Sequence, residues 1–149
     1  MIELRNAIRS RRELAAIDIV RAVQTQEIRR SVATIMAMPD DLAAEVVRSD
    51  PKLLDAALAV DSACEMWGSI IYEGIADLHT VDRMCGGVVR GCWQRLRLWF
   101  ADDRLRNRSP NEGEWFEWLY NMLEADPAPG KLEGAHVSYR GRTRGHGSS

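Results

Sequence analysis

Val81-Asp82-Arg83-Met84-Cys85-Gly86-Gly87-Val88-Val89-Arg90-Gly91-Cys92-Trp93-Gln94-Arg95-Leu96-Arg97-Leu98-Trp99 is the stretch that decides how the rest of the chain reads. Val81, Cys85, Val88, Cys92, Leu96 and Trp99 recur at a 4-3-4-4-3 spacing. That rhythm keeps one face of a 3.6-residue helix apolar throughout. Asp77 or Thr80 opens this helix, and it runs to about Asn107. The Gly86-Gly87 pair inside it costs about 1 kcal/mol per glycine in helix propensity. A neighbouring helix crossing at short distance is the expected compensation. A phosphate loop is not, because no strand precedes the pair and the helical period continues across it.

Downstream, Ser109-Pro110-Asn111-Glu112 offers Ser as N-cap, Pro at N1 and Glu at N3, a reciprocal capping pattern. The helix expected after it carries Trp115, Phe116, Leu119, Met122 and Leu123 to about Glu124. Pro127-Ala128-Pro129-Gly130 then breaks into a Gly-, Ser- and Arg-rich segment, read with residues 127–149 as a disordered basic tail.

Upstream, Asp50-Pro51 pairs an N-cap with a proline at N1. From there Leu54, Leu58, Cys64, Trp67 and Ile71 keep helical time to Tyr72, with Gly74 as a left-handed stop. Pro39-Asp40-Asp41 is a turn capping a short helix, Leu42 to Arg48. Thr25 caps a helix striped by Ile28, Val32, Ile35 and Met36. Residues from Ile2 to Val23 read as helical too, either capped internally at Ser10 with Glu13 or continuous with the next helix as one rod. The expected architecture is all-α: one bundle of about five helices with a disordered carboxy-terminal tail. It divides into a basic amphipathic helix or arm (1–24), a helical core (25–126) and the tail (127–149).

At 149 residues with 46% apolar side chains, the chain suffices for a core without metal or disulfide staples. Residues 1–127 hold 16 basic against 21 acidic side chains, so the body is acidic and disfavours nucleic acid. Arginine outnumbers lysine eighteen to two, a lean that a high-GC genome explains more simply than a phosphate-reading surface. Cys64, Cys85 and Cys92 form no CxxC, and the latter two lie two turns apart, roughly 10 Å, beyond disulfide reach. Buried reduced thiols in a cytosolic domain are expected. No apolar run approaches the roughly 20 residues of a membrane span, and no signal-peptide core follows Met1.

Candidate chemistry is sparse. Asp61 and Glu65 sit one turn apart, yet a carboxylate di-iron site needs Glu-x-x-His pairs that His79, His136 and His146 do not complete. An ion pair from Glu65 to an arginine such as Arg90 is the ordinary reading. The three cysteines lie on apolar stripes, away from anything that would activate a thiolate. No catalytic residue, cofactor or metal is assigned. Trp67, Gly86, Gly87, Trp93, Trp99, Trp115 and Trp118 are the candidate helix-packing or interaction residues. Arg5, Arg9 and Arg12 share a face and are the candidates for contact with an anionic surface.

An ordered set of short motifs carries a family resemblance across roughly residues 15 to 124. It comprises Thr25-Gln26-Glu27-Ile28-Arg29-Arg30, Glu65-Met66-Trp67-Gly68, Tyr72-Glu73-Gly74-Ile75, Val81-Asp82, Gly86-Gly87, Trp93-Gln94-Arg95-Leu96-Arg97 and Glu114-Trp115-Phe116-Glu117-Trp118-Leu119. The set resembles an uncharacterised bacterial family of small helical proteins, a domain of unknown function. The resemblance implies no activity or site residues. It does imply that many such proteins begin with a membrane anchor, a pattern from which this chain departs by starting with Arg5, Arg9, Arg11 and Arg12.

The resulting expectation is a non-enzymatic, cytoplasmic helical domain that binds another protein or itself. The alternative is a regulator at a membrane surface, or associated with nucleic acid, that uses its Arg-rich amino-terminal face, which would place it at the cytoplasmic side of the membrane.

Overall fold

The computed structural model describes residues 1–131 and contains six α-helices there: α1 (Ile2–Val23), α2 (Gln26–Met36), α3 (Ala44–Ser49), α4 (Pro51–Tyr72), α5 (Leu78–Asn107) and α6 (Glu114–Ala125). The 30-residue α5 and the 22-residue α4 each touch every other helix, with α2 and α6 packed mainly on α4 and α1 mainly on α5. The inward stripe of α5, Val81, Cys85, Val89, Cys92, Leu96 and Trp99, is buried, with Trp93 and Phe100 beside it. Trp67 from α4 and Phe116, Leu119 and Leu123 from α6 close the same core. Burying each such side chain contributes about 1.5–3 kcal/mol.

The helix boundaries follow from caps where the cap is local. Thr25 Oγ1 accepts from Ile28 N at 3.2 Å, which ends any rod and makes α1 and α2 separate helices. Asp50 Oδ1 accepts from Lys52 N and Leu53 N with Pro51 at N1, and Asp77 Oδ2 accepts from Thr80 N at 2.9 Å. Gly74 takes φ 72°, and the paired bonds Gly74 N to Ile71 O and Ile75 N to Ile70 O close α4 in a Schellman turn.

Several starts differ from expectation for tertiary reasons. Ser10 caps nothing, because α1 runs unbroken through it and Glu13 pairs with Arg9 at 3.0 Å instead. The short third helix starts at Ala44, not Leu42. Asp41 lies at φ 56° with its carboxylate on Arg97, and Asp41 N and Leu42 N donate to carbonyls of α5. The expected capping box at Ser109 is absent, and α6 begins at Glu114 after Gly113, φ 65°. Glu112 cannot reach back to Ser109, since Asn107 Nδ2 holds its carboxylate at 3.0 Å and Arg104 Nε holds its carbonyl at 2.7 Å. The cap comes across space: Phe116 N donates to Glu65 Oε1 of α4 at 2.7 Å.

The paired glycines are not a helix crossing. A Cβ on Gly87 would meet no heavy atom within 4 Å, and one on Gly86 would strike Asp82 Oδ1 at 1.8 Å. Gly86 is bare because Asp82 and Arg90, one turn to either side, reach over it to pair. Close helix approach occurs at Gly68, where a Cβ would lie 2.3 Å from the Trp115 carbonyl oxygen. Residues 127–131, expected to belong to the tail, are seated: Ala128 is buried and its N–H donates to Asp82 Oδ2 at 2.8 Å. The remainder of the expected tail lies outside the described residues.

Candidate functional site

Met1 and the first eleven residues of α1 (Ile2–Arg12) are exposed, while Ala16 and Val20 further along are buried against the bundle. The helix therefore overhangs the body by about three turns. Arg5, Arg9, Arg12, Ala16 and Val20 follow one another at steps of 4, 3, 4 and 4, so the arginines extend the bundle-facing side of the helix past the bundle's edge. They overhang the amino-terminal end of α5. Between the two helices lies a cleft of about 480 Å³ lined by Arg5, Arg9, Arg12 and Arg83, with Asp77, His79, Ile8 and Pro129.

The charges in this cleft do not balance. Glu13 is engaged by Arg9, and His79 Nε2 lies 3.0 Å from Asp126 Oδ1. Asp77 spends its carboxylate on Thr80 N and Thr80 Oγ1, both at 2.9 Å. Burial alone would raise its pKa; those two bonds, with His79 and Arg83 nearby, outweigh it and hold the carboxyl below the usual range. Arg83 Nη2 donates to Thr80 Oγ1 at 3.3 Å, and among the described residues Arg5 and Arg12 make no ion pair. The three arginines read as an anion-facing set are thus brought together, joined by Arg83 and His79. Those two were invisible from sequence because they lie about 70 residues away.

On the other side of the overhang Leu4 and Leu14 are 64% and 61% exposed, while exposed Ile2 falls in line with the arginines and Ile8 lines the cleft.

The packing candidates divide by location. Trp67, Trp93 and Trp99 are buried, and Trp93 stacks on Phe100 at 5.4 Å and meets Phe116 edge-on at 5.2 Å. Trp115 and Trp118 are half-buried and gather with exposed Tyr72 at 4.7 and 5.5 Å, forming an aromatic rim where α4 meets α6. Cys64, Cys85 and Cys92 are free and buried. Burial pushes the Cys85 and Cys92 thiols up to about 12 and Cys64 well above its ordinary value. Among the described residues no group of three or more His, Cys, Asp or Glu converges as a metal site would require.

Glu65 does not pair with Arg90, which is taken by Asp82; it caps α6, and this leaves Asp61 beside it with a buried Oδ1 that has no partner among the described residues. Burial first, then the charges of Glu65 and Glu112, raise the Asp61 pKa to about 7. An unfolded aspartate titrates near 3.9, so the native state holds a proton that the unfolded chain has lost. The Asp61 contribution is complete below about pH 4 and disappears as pH rises to about 7. Asp61→Asn should weaken this pH dependence and stabilise the fold at pH 8 by about 1–2 kcal/mol, after solvent screening of a partly exposed group. Urea unfolding at pH 4.5 and 8 checks it; an unchanged difference between the two pH values refutes it.

Among the described residues no helix is long and apolar enough to cross a membrane. No curated protein matches the chain, and no solved structure does. One family model matches residues 1–123, nearly the whole described chain and all six helices but the last two residues of α6. The chain therefore belongs to the family described as Domain of unknown function (DUF4760).

Proposed function

We propose that this chain is a non-enzymatic binding module whose working surface is the overhanging half of α1, and that its partner is a protein helix, foremost that of a second copy. The observation that carries this reading is an unsupported helix: eleven consecutive exposed residues with large apolar side chains among them. An isolated helix of that length is marginal in water. Packing its outer side against another helix supplies what the bundle does not.

The spacing suits a twofold pair. Leu4, Ala7, Arg11 and Leu14 follow a 3-4-3 rhythm, the seam of a coiled coil. Laid antiparallel, Leu4 of one copy meets Leu14 of the other at both ends, with small Ala7 opposite Arg11. That self-complementary arrangement is what a C2 interface requires. The long stripe of α5 is not available for such contact, being spent inside the fold.

The non-enzymatic reading is supported by how the reactive groups are used. The thiols are sealed in the core with raised pKa values, and Asp82 is committed to Arg90 and Ala128. Free thiols also suit a cytoplasmic setting. The alternative of an anionic surface bound through Arg5, Arg9 and Arg12 is weaker, because those arginines face inward across a cleft and not outward to a plane.

Sedimentation of the full chain from 5 to 200 μM tests the proposal. A seam this short should give a dimer in the micromolar range. Leu4→Asp with Leu14→Asp should weaken it at least about 100-fold, since burying each leucine contributes about 1.5–3 kcal/mol. A monomer at every concentration, or a dimer indifferent to both changes, defeats the reading.

A further inference from the structure

We propose that the cleft between the α1 overhang and the start of α5 is a binding site for a small organic polyphosphate. Four guanidinium groups, from Arg5, Arg9, Arg12 and Arg83, line one space of about 480 Å³. That is within the size range of small-ligand sites. Like charges gathered in a concave space repel one another unless an anion sits among them. Asp126 is engaged by His79, Glu13 pairs with Arg9 and Asp77 lines the cleft, so four guanidinium groups face two carboxylates and the space keeps a net positive charge.

The geometry also narrows the ligand. Guanidinium groups bind phosphate in bidentate fashion, and four of them suffice for two phosphate groups or more. They are borne on two different helices that face each other, which suits a discrete molecule held between them. A flat lipid surface would touch only the overhang. Ile8 and Pro129 give the cleft apolar walls, a place for the organic part of the ligand. This site is on the opposite side of α1 from the leucine seam, so either can fail without the other.

Calorimetric titration of the full chain at 50 and 300 mM salt, with inorganic phosphate, inorganic pyrophosphate and ATP as probes, tests the assignment. Pyrophosphate and ATP should bind one to one, ATP more tightly, and both more weakly at the higher salt. Inorganic phosphate alone should bind least. Arg83→Gln should weaken both polyphosphates about tenfold or more, the loss of one charge-assisted contact. Arg83 is exposed and, among the described residues, hydrogen-bonds only Thr80 at its own helix start, so circular dichroism should show an unchanged fold. The double variant Arg5→Gln with Arg12→Gln gives a second, independent loss. Arg21→Gln, on α1 but outside the cleft, should change nothing.

Vesicles of phosphatidylglycerol in phosphatidylcholine separate the two sources of phosphate. Vesicle binding that survives Arg83→Gln, without saturable pyrophosphate binding, overturns the proposal in favour of a membrane surface. Equal losses from Arg21→Gln and Arg83→Gln overturn it as well, since only the general field would then be at work.

Discussion

Asp82→Ala should lower the unfolding free energy by about 3–5 kcal/mol, the range for breaking a buried ion pair from one side. Asp82 is wholly inaccessible, and both its oxygens are used: Oδ1 accepts from Arg90 Nη1 at 2.6 Å, and Oδ2 from Arg90 Nη2 at 3.2 Å and Ala128 N at 2.8 Å. Arg90 in turn donates to the Leu123 carbonyl at 2.9 Å and to Glu124 Oε1 at 3.1 Å. The pair thus joins α5, the end of α6 and the segment behind it at one point. Its bond to Asp82, ahead of burial that acts the other way, raises the Arg90 pKa, and even without that partner a guanidinium keeps its charge at any ordinary pH. Alanine leaves the Ala128 N–H without its acceptor and Arg90 with only the Leu123 carbonyl and the more exposed Glu124.

A double-mutant cycle identifies the cause. In the native background Gly86→Ala should be destabilising, because its Cβ would fall 1.8 Å from Asp82 Oδ1 and 2.8 Å from Arg90 Nη1. In the Asp82→Ala background the same change meets no carboxylate and gains about 1 kcal/mol of helix propensity. Denaturant midpoints of the four proteins give the coupling. Additive effects would show that Gly86 serves something other than the passage of this ion pair.

What the sequence discloses here is what is local. Asp50-Pro51, Thr25 and Asp77 act on backbone within three residues of themselves, and their helices start where they say. The apolar stripe of α5 has the same quality: its period is written in consecutive residues. Ser109-Pro110 misleads because its rival is remote. Glu65 lies 51 residues from the Phe116 N–H that it caps, and no pattern in either segment names the other. The glycines show the same division. Gly68, Gly86 and Gly87 are all helical glycines, yet a helix turns about 100° per residue, so adjacent Gly86 and Gly87 face different neighbours. One local sign did exist: Asp82, Gly86 and Arg90 are spaced four apart, and an acid and a base eight residues apart over a bare glycine can meet above it. The cleft was half legible, since Arg5, Arg9 and Arg12 share a face by spacing alone, while Arg83 joins them only through the topology.

Gly68→Ala should cost about 2–4 kcal/mol, although alanine is the better helix former by about 1 kcal/mol. The added methyl would sit 2.3 Å from the Trp115 carbonyl oxygen, 2.8 Å from its carbon and 3.0 Å from its Cβ. Two of these are backbone atoms at the first turn of α6, so no rotamer change relieves the contact and the helix itself must move away. Moving it lengthens the 2.7 Å bond from Phe116 N to Glu65, one turn back on the same face of α4, and uncaps α6. It also lifts Phe116, Leu119 and Leu123, all fully buried, from the core. Trp115 and Trp118, gathered against Tyr72, report the event: their emission should shift to the red and the Tyr72 contact at 4.7 Å should open. Gly87→Ala is the matched comparison, since its Cβ enters open space and should stabilise by about 0.5–1 kcal/mol. Opposite signs at two glycines of neighbouring helices, measured in one denaturant series, would place the close crossing at α4 against α6; equal signs would contradict it.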